Sequence, residues 1–111
     1  MKGNFAAAGA ALAIAALSLL SSPAAARLDG SEREEFVKSS LESCSSGVRK
    51  NNPQLPAKQI ETYCSCMAEA EADMTTAADI EYIAAHNAAT KDYTARVQAL
   101  APACATKAGL K

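Results

Sequence analysis

Two cysteines one residue apart, Cys64-Ser65-Cys66, lie between single cysteines at positions 44 and 104, and no other feature of the 111-residue chain limits its fold as much. Read as a helix at about 100° per residue, Cys64 sits roughly 60° to one side of the apolar stripe Ile60, Tyr63, Met67 and Met74, and Cys66 roughly 100° to the other. Side chains two apart on a helix face away from each other, so these two cysteines are a poor mutual pair. Two connectivities remain. Either Cys44 joins Cys64 and Cys66 joins Cys104, or Cys44 joins Cys66 and Cys64 joins Cys104. In both, the helix that carries the pair is stapled to a neighbour on each flank. In an antiparallel hairpin of the first two helices, Cys44 falls about six residues before the end of one and Cys64 about seven after the start of the next, so their heights match and favour the first connectivity.

The chain divides into two differently solvated segments. Residues 5–20, FAAAGAALAIAALSLL, carry no charge, whereas every Asp and Glu and all of the Lys and Arg except Lys2 lie from Arg27 onward. One basic residue, an apolar run too short to span a bilayer as a helix, then Ser21, Ser22, Pro23 and the small Ala24 and Ala26 describe a secretory signal peptide over residues 1–26, with cleavage after Ala26. An uncleaved membrane anchor is the alternative. Residues 27–111 are expected to form one small domain, exported to a periplasm or secreted and off the membrane once the leader is removed. All four cysteines fall in that part, as expected for disulfides made in an oxidising compartment. Without the leader the formal charge becomes -2, which speaks against a nucleic-acid partner.

The exported segment is rich in Ala, Glu and Lys, and no window alternates as a half-buried strand would, so an all-α bundle of three to four short helices is expected. The first should run from Glu32 to Lys50, opened by a Ser31/Glu34 capping box, with Val37, Leu41, Cys44 and Val48 inward and Phe36 beside them. The second should begin near Pro56 and reach Asp73. Thr76 and Asp79 form another capping box, opening a third helix to Asn87 that buries Ile80, Ile83 and Ala84, with Tyr82 at its margin. Thr90 caps a fourth, with Tyr93, Val97, Leu100 and Cys104 on one face. Pro102 is expected to kink it or force a fresh start before Cys104. A core built from so many alanines and only four aromatics, Phe36, Tyr63, Tyr82 and Tyr93, is thin and calls for covalent reinforcement.

Catalytic chemistry finds no foothold: there is no Ser/His/Asp pattern, glycine-rich phosphate loop or zinc-protease motif, and His86, the only histidine, suits a helix end. No cofactor is expected. Cys64, Cys66 and Met67 could offer soft ligands to Cu(I), but their spacing is not that of a structural zinc site. The acidic residues Glu69, Glu71, Asp73, Asp79 and Glu81 surround the turn between the second and third helices. They are candidates to meet a basic partner, against the simpler reading of a solvated turn. A protein partner is therefore the expectation, with the chain acting as an inhibitor, accessory or other interaction factor, and a periplasmic acid or stress chaperone as the alternative.

Tyr63-Cys64-Ser65-Cys66 on a helix resembles small exported helical proteins of Gram-negative bacteria. Small helical acid-stress chaperones of the periplasm are similar in size and export, but they typically carry one disulfide, and the four cysteines here depart from that plan. The resemblance implies a helical fold and export, and no activity.

Overall fold

A computed structural model describes residues 26–110 of the chain. Residues 1–25, which hold all of the expected signal peptide except Ala26, lie outside the described residues. Four helices follow one another: α1 (Gly30–Asn51), α2 (Ala57–Met74), α3 (Ala77–His86) and α4 (Lys91–Lys107). The described residues hold no strand, only an isolated antiparallel bridge between Arg27 and Thr76. The fold is all-α, and none of these helices is long and apolar enough to cross a membrane.

The central rod is α2, against which both α1 and α4 pack. Its buried residues, Ile60, Cys64, Met67, Ala68 and Ala72, recur at steps of four, three, one and four, the spacing of a helix face turned to its neighbours. Ala68 and Ala72 are essentially inaccessible, and a methyl side chain at such a contact lets helices approach closely. By contrast, α1 buries nothing completely: Phe36, Val37, Leu41, Cys44 and Val48 are all half-covered. An apolar stripe that is only partly removed from water adds correspondingly little stability, since the gain scales with area.

The covalent links lie within that packing, with Cys64 inaccessible and Cys104 2 % exposed. Cys44 of α1 joins Cys64 of α2, and Cys66 of α2 joins Cys104 of α4, with Cα atoms 5.6 and 5.5 Å apart, inside the span a disulfide bridges without backbone movement. No described cysteine is free. Of the two connectivities left open by spacing, this is the one that matched helix heights favour. Because the helix turns Cys64 and Cys66 apart, one rod serves as the anchor for both outer helices. Such bridges persist in oxidising, extracytoplasmic surroundings.

The third helix does not bury Ile80, Ile83 and Ala84 as expected: α3 buries none of its side chains, Ile80 and Ile83 being half-covered and Ala84 exposed. Two further expectations need correction. The first concerns Ser31, which does not cap α1: the helix starts at Gly30 behind Asp29, and no side chain caps it. The cause lies in the preceding segment. Ala26 accepts a hydrogen bond from the Ala77 amide at 3.1 Å, Arg27 bridges Thr76, and Leu28 is buried at 7 % exposure, so the chain is pinned to α3 until residue 28 and must turn at once. Gly30, at φ +56°, takes that turn in the left-handed region that glycine enters without steric cost. The second concerns α4, which does not restart at Pro102 but runs through it as one helix. Pro102 and Gln98, whose carbonyl would have received the missing amide, both lie on the exposed side. That acceptor can turn to water, and the Thr106 hydroxyl donates to the Pro102 carbonyl at 3.1 Å.

The other stops are local chemistry. Asn87, at φ +53°, closes α3 in a conformation that asparagine tolerates, with its amide donating to Ile83 at 2.8 Å. At the end of α4, Leu110 donates to Ala105 at 2.8 Å and Gly109 to Thr106 at 3.0 Å, the paired bonds of a Schellman motif. Gly109 occupies its left-handed position at φ +76°. Open space is not the obstacle there, because an added Cβ would meet only the Gln59 amide nitrogen at 3.6 Å. Gly109→Ala is therefore expected to cost about 1 kcal/mol through backbone strain alone, read as a lower urea midpoint. An unchanged midpoint would contradict the assigned turn.

Candidate functional site

The five acidic residues singled out from the sequence do not form one surface. Glu69 and Asp73, on the exposed side of α2, converge on Arg33 of α1, each with a carboxylate oxygen 2.9 Å from Nη2. Arg27 also donates to the Asp73 carbonyl. Asp79 faces the opposite way, toward α4. It accepts from the Thr76 amide at 2.9 Å and from the Thr76 hydroxyl at 3.1 Å, while its own amide donates to that hydroxyl at 3.3 Å, completing the capping box read from the sequence. Arg96 Nη2 stands 3.3 Å from the second Asp79 oxygen, and Arg96 Nε 3.0 Å from Asp92. Three of the five carboxylates are thus consumed by contacts that tie the elements together.

Glu71, its carboxylate half-buried, contributes only its main-chain carbonyl to a buried polar knot between α2 and α4. Thr75, fully buried, donates from its hydroxyl to the Glu71 carbonyl at 2.6 Å. Its single proton is then committed, so in the 2.8 Å contact between Thr75 and Tyr93 the Tyr93 hydroxyl is the donor. Arg96 lies over the Tyr93 ring, 5.3 Å from its centre, as a cation–π contact. Every buried side-chain polar atom among the described residues has a partner. Burial, above all, pushes the Tyr93 hydroxyl up from its usual range.

These contacts give the domain a pH profile of known sign. Burial raises the Glu71 carboxyl, so its charge is a cost at neutral pH that is relieved as pH falls through the raised value. For Asp79 burial works in the same direction, but the Thr76 hydrogen bonds and the Arg96 charge outweigh it and hold the carboxyl below the ordinary range. Its stabilisation is fully present above an unfolded-state value of about 4 and is lost as pH falls through the depressed one. Stability is accordingly expected to rise on mild acidification and then to fall. Urea midpoints across pH should show Glu71→Gln removing the first limb and Asp79→Asn the second. Identical acid limbs in Asp79→Asn and the parent would contradict the clasp.

Glu81, the fifth carboxylate, points elsewhere. With Leu28, Glu32, Glu35, Phe36, Ser39, Ala77 and Ile80 it lines a groove of about 510 Å³ between the first half of α1 and α3. Of the α1 residues in this groove, the sequence singled out only Phe36, as an aromatic beside the apolar stripe. Yet Glu32, Glu35, Phe36 and Ser39 recur at three, one and three, a face of their own turned from the Val37, Leu41, Cys44 and Val48 stripe. Of their partners, Ile80 is remote in sequence and Leu28 precedes the helix outside its periodic pattern, which is why no local pattern joined them.

The remaining candidates are simpler. With Cys64 and Cys66 each in a disulfide, neither offers a thiolate to Cu(I), and Met67 is buried at 7 % exposure. Among the described residues no group of three or more His, Cys, Asp or Glu is placed to hold a metal. His86 stacks on Tyr82, with ring centres 3.9 Å apart, at the exposed end of α3. Its Nδ1 is 2.9 Å from the Tyr82 carbonyl, which can only accept, so Nδ1 carries the proton.

Comparison with known proteins finds no family model, no curated protein and no solved structure that matches the chain.

Proposed function

We propose that this chain is a small exported, noncatalytic protein that acts through its disulfide-braced helical surface as an interaction, inhibitor or accessory factor in a periplasmic or secreted setting. The observation that carries the proposal is the contrast between two sets of carboxylates. Glu69, Asp73 and Asp79 are held by Arg33 and Arg96, whereas Glu32, Glu35 and Glu81 line an apolar groove and make no ion pair among the described residues. The double staple supports the same reading, because a surface held in one shape loses less entropy on binding. Affinity capture from the extracytoplasmic fraction tests it, with the native protein beside a reduced and alkylated form. A defined protein retained only by the native form is the expected result. Equal retention by both, or none by either, would contradict it.

A second reading, an acid or stress chaperone, is favoured by the Asp79 clasp. Protonation of Asp79 undoes both the α3 capping box and the contact to Arg96, and α3 forms one wall over Leu28 and Phe36. This reading expects apolar-dye fluorescence and protection of a client protein to rise together at pH 3. No gain in either removes it.

A further inference from the structure

We infer that the groove between α1 and α3 receives a polypeptide segment that presents one apolar side chain flanked by lysines or arginines. This rests on the interaction reading and specifies the partner's chemistry. The floor of the groove is apolar, from Leu28, Phe36 and Ile80. Leu28, 7 % exposed, is held by residues that remain after cleavage at Ala26: Arg27 donates to the Asp73 carbonyl, and the Arg33 amide donates to Asp29 at 3.2 Å. A volume of about 510 Å³ is within the range of pockets that hold ligands, which run from about 300 to 1,000 Å³.

Charge decides what enters. Glu32 and Glu35 stand on the α1 side and Glu81 on the α3 side, all exposed, and no basic residue lines the groove. The nearest arginines are committed elsewhere: Arg27 to the Asp73 carbonyl and Arg33 to Glu69 and Asp73. Three like charges around an apolar floor repel one another, and that repulsion is relieved when a cationic segment lies between them. Carboxylates on both walls suit a chain with basic residues on either side of its anchor, since a single cationic head group would meet only one wall.

The experiment is selection from a random-peptide display library on the intact oxidised protein, followed by affinity measurement with the enriched peptides as labelled probes. Enrichment of Leu or Phe flanked by Lys or Arg is expected. Affinity should fall by about tenfold in the triple variant Glu32→Gln, Glu35→Gln, Glu81→Gln, the combined effect of three exposed pairs. It should also weaken with added salt and stay unchanged in Glu42→Gln, Glu61→Gln, which alters charges elsewhere. Melting of the triple variant no lower than that of the parent separates lost recognition from lost folding. Peptides without basic residues, binding indifferent to the triple variant, or no enrichment would overturn the assignment. So would a dimer whose formation the triple variant abolishes, or a cationic detergent that binds as tightly as the peptides. Partner capture by native protein that survives the triple variant would leave the interaction reading standing and place the contact on another face.

Discussion

Replacing Cys66 and Cys104 together by alanine is expected to destabilise the domain by about 4 kcal/mol and to free α4 from the bundle. The bridge closes a span of 38 residues, and the chain-entropy relation gives about 4 kcal/mol for that length and about 3 for the 20-residue span between Cys44 and Cys64. Small domains have only about 5–15 kcal/mol in all, so either loss is a large fraction. The two variants should fail differently. Without Cys66–Cys104, α1 and α2 remain a hairpin tied by Cys44–Cys64, while α4 depends on Tyr93, Thr75 and Arg96. Hydrogen exchange should then show early loss of protection in residues 91–107 with protection retained in 57–74. Alanine rather than serine avoids adding a hydroxyl at Cys104, which is 2 % exposed. Uniform loss of protection across all four helices would contradict the division of labour between the staples.

Ile60→Ala carries the second largest expected effect, about 3 kcal/mol, from lost transfer energy and the cavity left behind. Ile60 is 3 % exposed, and Met67 is the only other large aliphatic side chain that α2 buries so deeply. A core with so few bulky members has little nearby to collapse into the gap. Val48→Ala in α1, truncating a half-covered side chain, should cost less than half as much. Urea melts of the oxidised proteins compare the two. Equal costs would mean that α1 contributes as much core as α2, against the burial pattern.

How far the sequence discloses this fold depends on the range of the interaction involved. The Thr76/Asp79 box and the Thr90 cap were legible because a side-chain oxygen at fixed spacing meets an amide of its own turn. Ser31 and Glu34 display the same pattern without using it, since the position of α1 is set by Leu28 and the strap across to Thr76 and Ala77, contacts more than forty residues apart in the chain. Pro102 misled in the opposite sense: its cost depends on whether the orphaned carbonyl faces water, which periodicity around Val97 and Leu100 does not specify. Of the candidate site, the acidic residues were visible as composition, but their sorting was not. Asp79 and Glu81 are two apart on α3 and so turn to different neighbours, one to Arg96 and one to the groove.

The central claim is that α2 is braced from both flanks, and direct mapping of the sulfur pairing in the native protein tests it. With only Ser65 between Cys64 and Cys66, proteolysis leaves the linked peptides in one cluster, so stepwise reduction with differential alkylation must precede mass spectrometry. Paired labelling of Cys44 with Cys64 and of Cys66 with Cys104, and no thiol free before reduction, is the result expected. Cys44 paired with Cys66, Cys64 paired with Cys66, or any sulfur found unpaired in the native protein would contradict it.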